Sequence, residues 1–304
     1  MHCLNNESGA VSIRLNRQVQ KYAVKIIFAL VTGFLPVPGF AGLPESATAE
    51  MRVVPGLEEP LMASGPAGAE EAAALAAAID GFRSVQRADD ESALNVFEGF
   101  LAHYPNSVWR VALYTNLGLA YYQRGYFSKA IAAFERAWQA GQAQEEISLK
   151  PLIDRAAGEL ARMHARLGHA DALAELLDEL HGRSVSGPAT EAIAGAREGL
   201  WAMRHDPGVA YLCGPMALKN LLLTQRPARR PEPFLDAFRS GPNGVSLAEV
   251  ARLAGQAGFG HRLVYRRPGQ TIPVPSIVHW QVNHFAAIVE ESAGRLHVQD
   301  PTFG

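Results

Sequence analysis

Ile277-Val278-His279-Trp280, His284-Phe285-Ala286-Ala287-Ile288-Val289 and Leu296-His297-Val298-Gln299 are three short runs near the end of the chain, the last two joined through Ser292-Ala293-Gly294. Their length and their apolar, β-branched and aromatic content predict strands, and the Gly-containing turn predicts a hairpin. Leu263-Val264-Tyr265 predicts one more strand upstream. Before Arg262 the hydrophobic period is helical, so these runs decide between an all-helical chain and an α+β one. The hairpin also carries chemistry. His284 opens its leading strand and Asp300-Pro301 closes its return strand, so antiparallel pairing sets the two side by side. A carboxylate there orients the imidazole and leaves its other nitrogen to take a proton from a nucleophile.

The nucleophile stands further upstream. Leu212-Cys213-Gly214-Pro215-Met216-Ala217-Leu218-Lys219-Asn220-Leu221-Leu222 reads as a loop feeding a helix, with Cys213 at the mouth. Pro215 falls in the first turn, where its missing N–H costs nothing. A thiol at a helix N-terminus meets the positive end of the macrodipole, which favours the thiolate, the form that attacks carbonyl carbon. Ser246-Leu247-Ala248-Glu249 is a capping box opening a second helix that closes at Gly258. A helix-borne cysteine facing a sheet-borne His/Asp pair is the papain-type arrangement for acyl transfer.

From Glu70 to about Arg183 the pattern is Ala- and Leu-rich and helical, with turns at Gly125-Tyr126, Gly141 and Gly168-His169. Tyr114, Leu117-Gly118, Tyr121, Gly125, Ala130, Phe134 and Ala137 resemble the tetratricopeptide pattern. Gly118 and Ala130 are small where two helices cross closely, and Leu117, Tyr121 and Phe134 fill the seam. Gly81, Ala93, Phe97, Phe100 and Pro105 resemble a partial unit before it. Leu160, His164, Gly168, Leu173, Leu177 and Leu180 resemble one after it. The resemblance implies a stacked array with a concave face for a protein or peptide partner of unspecified identity.

The bounds are consistent with this. The 304 residues allow about two domains, and 48% apolar content suffices for buried cores. A formal charge of −2 offers no basic stripe for nucleic acid. The two cysteines, Cys3 and Cys213, form no disulfide scaffold and no metal-ligand cluster, so neither a metal nor a cofactor is expected. Arg14, Arg17, Lys21 and Lys25 precede the apolar run Ile26–Leu35, the layout of an export signal. That run is too short for a spanning helix of roughly 20 residues. An exported protein of periplasm, surface or medium is therefore expected, without stable membrane insertion. Removal of the signal takes Cys3 with it and leaves Cys213 as the one thiol.

Cys213-Gly214-Pro215-Met216-Ala217-Leu218, Ile277-Val278-His279-Trp280, Asn283-His284-Phe285-Ala286-Ala287-Ile288-Val289 and Asp300-Pro301-Thr302 together resemble the bacteriocin-processing cysteine peptidases, which cut leader peptides after a double glycine. The resemblance covers about residues 205–304. It implies Cys213 as nucleophile, His284 as general base and acid, and Asp300 as the residue that orients His284. Where that family carries a Gln donating into the oxyanion hole, six residues before the nucleophile, this chain has Pro207, so the oxyanion donor stays unassigned. The expected organisation is a signal and disordered lead-in over 1–49, a linker over 50–69, tetratricopeptide-like repeats over 70–182, a linker over 183–188, and a papain-like peptidase domain over 189–304, incomplete at its C-terminal end. Two other functions stay open: an inactive, peptide-binding member of the same fold, favoured by Pro207, and a papain-like acyl transferase such as a transglutaminase. Gly214-Pro215 after the cysteine, where a transglutaminase carries an aromatic residue, counts against the last.

Overall fold

Seven helices carry the first part of the chain: α1 (Ala69–Val85), α2 (Ser92–His103), α3 (Arg110–Gln123), α4 (Phe127–Gly141), α5 (Lys150–Leu167), α6 (Ala170–Glu179) and α7 (Pro188–His205). The computed structural model describes residues 51–85, 92–144, 147–226, 232–267 and 269–303, which belong to one compact unit running from Ala47. The expected export signal and lead-in, 1–49, lie outside the described residues. None of the described helices is long and apolar enough to cross a membrane. The fold mixes these helices with two small antiparallel sheets.

Helix hairpins follow from close crossings and glycine stops. A Cβ on Gly118 of α3 would lie 2.5 Å from the Phe134 ring of α4, and one on Gly158 of α5 would lie 2.8 Å from the Ala189 backbone of α7. Both helix pairs therefore approach to a distance that only glycine admits. α5 ends at Gly168 with φ 75°, the left-handed C-cap, and His169 N–H returns to the His164 carbonyl at 2.9 Å. One continuous apolar core runs from Val54 to Met203.

That core revises the boundaries. Residues 50–69, read as a linker, instead contain the strands β1 (Met51–Arg52) and β2 (Leu61–Met62), paired antiparallel, with Leu61 and Ala63 buried. The Asn116 side chain of α3 brackets the Glu59 backbone, accepting its N–H and donating to its carbonyl, both at 2.9 Å. Two-residue strands leave no periodicity to read. The junction 183–188 is also tied down. Buried Asp154 accepts from Arg183 Nε at 3.0 Å and from Ser186 N–H at 3.2 Å, and pairs with Lys150. Beyond it α7 buries Ile193, Ala196, Leu200 and Met203 in the helical core, so the break between cores falls after His205.

The second core is smaller. It joins α9 (Cys213–Gln225) and α11 (Leu247–Gln256) to one face of a sheet, with Ala217, Leu218, Leu222, Val250, Leu253 and Phe285 at its centre. Two short helices, α8 (Pro207–Ala210) and α10 (Pro233–Asp236), lead into it. The Ser246 hydroxyl caps α11 by accepting the Glu249 N–H at 3.1 Å. The sheet has the order β3-β4-β5, all antiparallel, with β3 Ser276–Trp280, β4 His284–Ser292 and β5 Arg295–Gln299. Leu263-Val264-Tyr265, expected as a strand, is exposed and makes no ladder. Three β-prone residues have no partner strand to pair with, and pairing, not propensity, makes a strand.

The register places the hairpin chemistry. Ser292 pairs Arg295 and Glu290 pairs His297, then a bulge at Val289 shifts the ladder so that Ile288 pairs Val298 and Ala287 pairs Gln299. Extending the regular ladder from the turn would set Asp300 opposite Ala287, facing away from His284. The extra residue sets it opposite Ala286, on the same face as His284, because a one-residue shift exchanges the two faces of a strand.

Candidate active site

Cys213 is the first residue of α9, and its N-cap Leu212 supplies no side-chain cap. Main-chain N–H groups at this mouth are thus left for other partners. The N–H groups of Phe285 and Gly214 and the His284 side chain stand around the Cys213 sulfur, where each favours its thiolate. Gly214 is required sterically, since a Cβ there would lie 2.8 Å from Val250 and 3.4 Å from the Phe285 ring. Any side chain would lift the helix mouth off the sheet. Cys213 itself is half-buried and in no disulfide.

His284 opens β4 after Asn283, whose left-handed φ of 56° turns the chain between β3 and β4 and is a conformation asparagine tolerates well. Its Nε2 donates to both carboxylate oxygens of Asp300 at 2.9 Å, which leaves Nδ1 for the sulfur. Asp300 Oδ1 also accepts the N–H groups of Thr302 at 2.8 Å and Phe303 at 3.0 Å, an Asx-type turn. Both side chains are buried, His284 at 1% and Asp300 at 8% exposure. Of the three residues singled out from the sequence, His284 and Asp300 form a buried hydrogen-bonded pair, and the Cys213 sulfur lies beside the imidazole.

The electrostatics follow from burial set against these bonds. Burial pushes the His284 imidazole down, but hydrogen bonds to Asp300 and Cys213, with their charges, hold it up at about 9. Burial pushes the Cys213 thiol up. The His284 hydrogen bond, the Phe285 N–H, the imidazolium charge and the Gly214 N–H overcome that and hold it below the ordinary thiol range. Burial likewise raises Asp300, and the bonds from His284 and Thr302, the His284 charge and the Phe303 N–H bring it below the ordinary carboxyl range. These shifts all favour a thiolate beside an imidazolium that is itself balanced by a carboxylate, a combination suited to nucleophilic attack followed by protonation of a leaving group.

Pro207 begins α8. Its carbonyl accepts the Ser240 hydroxyl at 2.8 Å, and it offers no donor of its own. His205, a nearby imidazole, stacks on Trp201 and bonds the Trp201 carbonyl through Nδ1 at 2.8 Å, within its own helix. The remaining histidines of this region are locally engaged: His279 stacks flat on Phe285 at 4.1 Å, and His297 Nε2 meets the Ser292 hydroxyl at 2.6 Å. Burial, with the His284 charge beside it, lowers His279. Among the described residues no group of three or more His, Cys, Asp and Glu side chains is placed to hold a metal ion.

Two features escaped the sequence reading. The N–H groups that tie down Asp300 were legible in principle, because an Asp followed by Pro-Thr is a turn former. The Phe303 ring, edge-on to His284 at 5.6 Å, has no local signal. Comparison with protein-family models, with curated proteins and with solved structures returns no match for this chain.

Proposed function

We propose that this chain is a cysteine peptidase that hydrolyses peptide bonds through a Cys213 thioester, of the type that processes double-glycine leaders. The observation that carries the reading is the buried, hydrogen-bonded His284–Asp300 pair with the Cys213 sulfur beside the imidazole at a helix mouth. In the proposed cycle the thiolate attacks the scissile carbonyl carbon. The tetrahedral intermediate collapses as His284 gives its proton to the departing amine. Water, deprotonated by His284, then cleaves the thioester, releasing the acid and restoring the thiol. Asp300 keeps the ring oriented and its charge balanced throughout. The backbone N–H of Cys213 is the donor nearest the developing oxyanion by chain position. Pro207 supplies none, and one missing donor costs about 10²–10³ in rate.

In the same reading the helices α1–α6 form a tetratricopeptide-like array on a papain-like catalytic region, and the basic and apolar order of residues 14–35 supports export. The test is incubation of the full chain, wild type and Cys213→Ala, with Gly-Gly-containing peptides, followed by mass spectrometry. Cleavage by wild type alone is expected. Equal absence of cleavage in both overturns the peptidase reading in favour of peptide binding without turnover, which Pro207 favours, and ammonia release from a Gln donor would select acyl transfer instead.

A further inference from the structure

Each of the three site residues has a neighbour in sequence that packs on the helical core and not on its own. Tyr211 precedes Cys213 by two, Val282 precedes His284 by two, and Phe303 follows Asp300 by three; all three are packed against the core of α1–α7. Tyr211 lies over Gly168, where a Cβ would stand 2.7 Å from its ring. The Val282 carbonyl accepts His169 Nε2 at 2.9 Å, immediately before the turn residue Asn283. Phe303 is the most heavily held. Its ring stacks on Phe127 of α4 at 4.1 Å and 26°, meets Tyr122 of α3 edge-on at 6.0 Å, and lies 5.6 Å beneath the Arg166 guanidinium of α5. Arg166 in turn donates to the Tyr122 hydroxyl. The other side of Phe303 meets His284 edge-on, and its N–H donates to Asp300.

We infer that the helical array is the frame that holds the catalytic residues in register, with Phe303 as its principal positioning residue, and that it is not only a surface for gripping substrate. The physical reason lies in the sheet. Asp300 follows the last residue of β5, an edge strand whose side chains are mostly exposed, so apart from His284 itself its own region holds it only by the Thr302 and Phe303 N–H groups. A ring clamped between three helices supplies the lateral constraint that the sheet lacks. A small displacement of the imidazole removes the His284–Cys213 hydrogen bond, and misplacement of about 1 Å costs rate by up to about a hundredfold.

The inference rests on Cys213 being a reactive thiolate, and the experiment separates the two. Iodoacetamide alkylation of Cys213 in the full chain is followed as a function of pH for wild type, Phe303→Ala, Phe127→Ala, Arg166→Gln and Phe303→Tyr, with thermal melts in parallel. Fast alkylation by wild type near pH 6, slowed about tenfold in Phe303→Ala and Phe127→Ala and retained in Phe303→Tyr, is expected. In peptide hydrolysis the same variants lower kcat with KM unchanged. An ordinary wild-type alkylation rate overturns the nucleophile itself. Fast wild-type alkylation that Phe303→Ala and Phe127→Ala leave untouched, or a raised KM at constant kcat, overturns the positioning role alone. Should Phe303→Ala lose its cooperative melt, Arg166→Gln, an exposed residue that leaves every core side chain in place, decides: its profile moves toward that of an ordinary thiol or the inference fails.

Discussion

The helical region and the region of the candidate site solve the problem of buried charge in opposite ways. Among the helices, Asp154 is buried with Lys150, Arg183 and the Ser186 N–H around it, and Glu159 lies between Arg155 and Arg162. Each of these charges is matched by fixed opposite ones on a rigid scaffold. At the candidate site three titratable groups lie side by side, and each is displaced: His284 up, Cys213 and Asp300 down. The matched pairs make structure, whereas the displaced triplet is a candidate for chemistry, and in the proposed cycle it holds the proton that the leaving group takes. Reactivity sits in the smaller core and rigidity in the larger one, which is why the first leans on the second.

The sharpest way to break that contrast is to neutralise the carboxylate. Asp300→Asn keeps a polar partner for the ring and loses its charge, so turnover falls by about 10²–10⁴, read as kcat on a cleavable peptide. The sign of the pH effect is fixed by His284. Its folded value lies above that of the free imidazole, so the protonated form and the stability it adds are present at neutral pH and lost as pH rises through about 9. The alkaline limb of the wild-type rate profile falls there, and Asp300→Asn moves it to lower pH.

A second prediction concerns His164, at the foot of the array beside His169. Burial, then the neighbouring imidazole, lowers it to about 4. The unfolded chain binds this proton near pH 6.5 and the folded chain does not, so stability drops as pH falls from about 6.5 to about 4, by roughly 3 kcal/mol. His164→Gln flattens that acid slope in urea melts. Since His169 joins His164 to Val282 beside the site, Cys213 alkylation in wild type falls over the same range.

The smallest effect separates the two regions most cleanly. Gly118→Ala drives a Cβ into the Phe134 ring and costs about 1–3 kcal/mol in thermal unfolding, with the alkylation profile of Cys213 moved less than by Phe303→Ala. Equal sensitivity of both readouts would mean that the helical core and the site do not divide stability and reactivity as described.

Much of this was legible residue by residue. Ser246 and Glu249 announced α11, Gly168 announced the end of α5, and the alternation around Ile277 and His284 announced β3 and β4. That Cys213, His284 and Asp300 come near one another was legible in a helix mouth and two strand ends, but not which face Asp300 would take. What failed to read were features whose partners lie far away in sequence. Leu263-Val264-Tyr265 has strand chemistry and no neighbour. Leu61 and Glu59 sit in a stretch read as a linker because only Asn116, 57 residues on from Glu59, reveals what they bind. Pro188 to His205 looked like the start of the catalytic region because its apolar stripe fits either core; contact with Gly158 assigns it to the first.

Local sequence is enough to set the elements and the available chemistry: helical or strand period, caps, and a thiol, an imidazole and a carboxylate in an order compatible with acyl transfer. Those are short-range properties, set by a residue and its neighbours within a turn or a pleat. Tertiary structure alone decided that Asp300 faces His284, because the bulge at Val289 exchanges the strand faces, and that Phe303, Val282 and Tyr211 anchor the site to the helices. Register and docking are chosen by packing between surfaces distant along the chain, and no local pattern encodes which surface will be there to meet them.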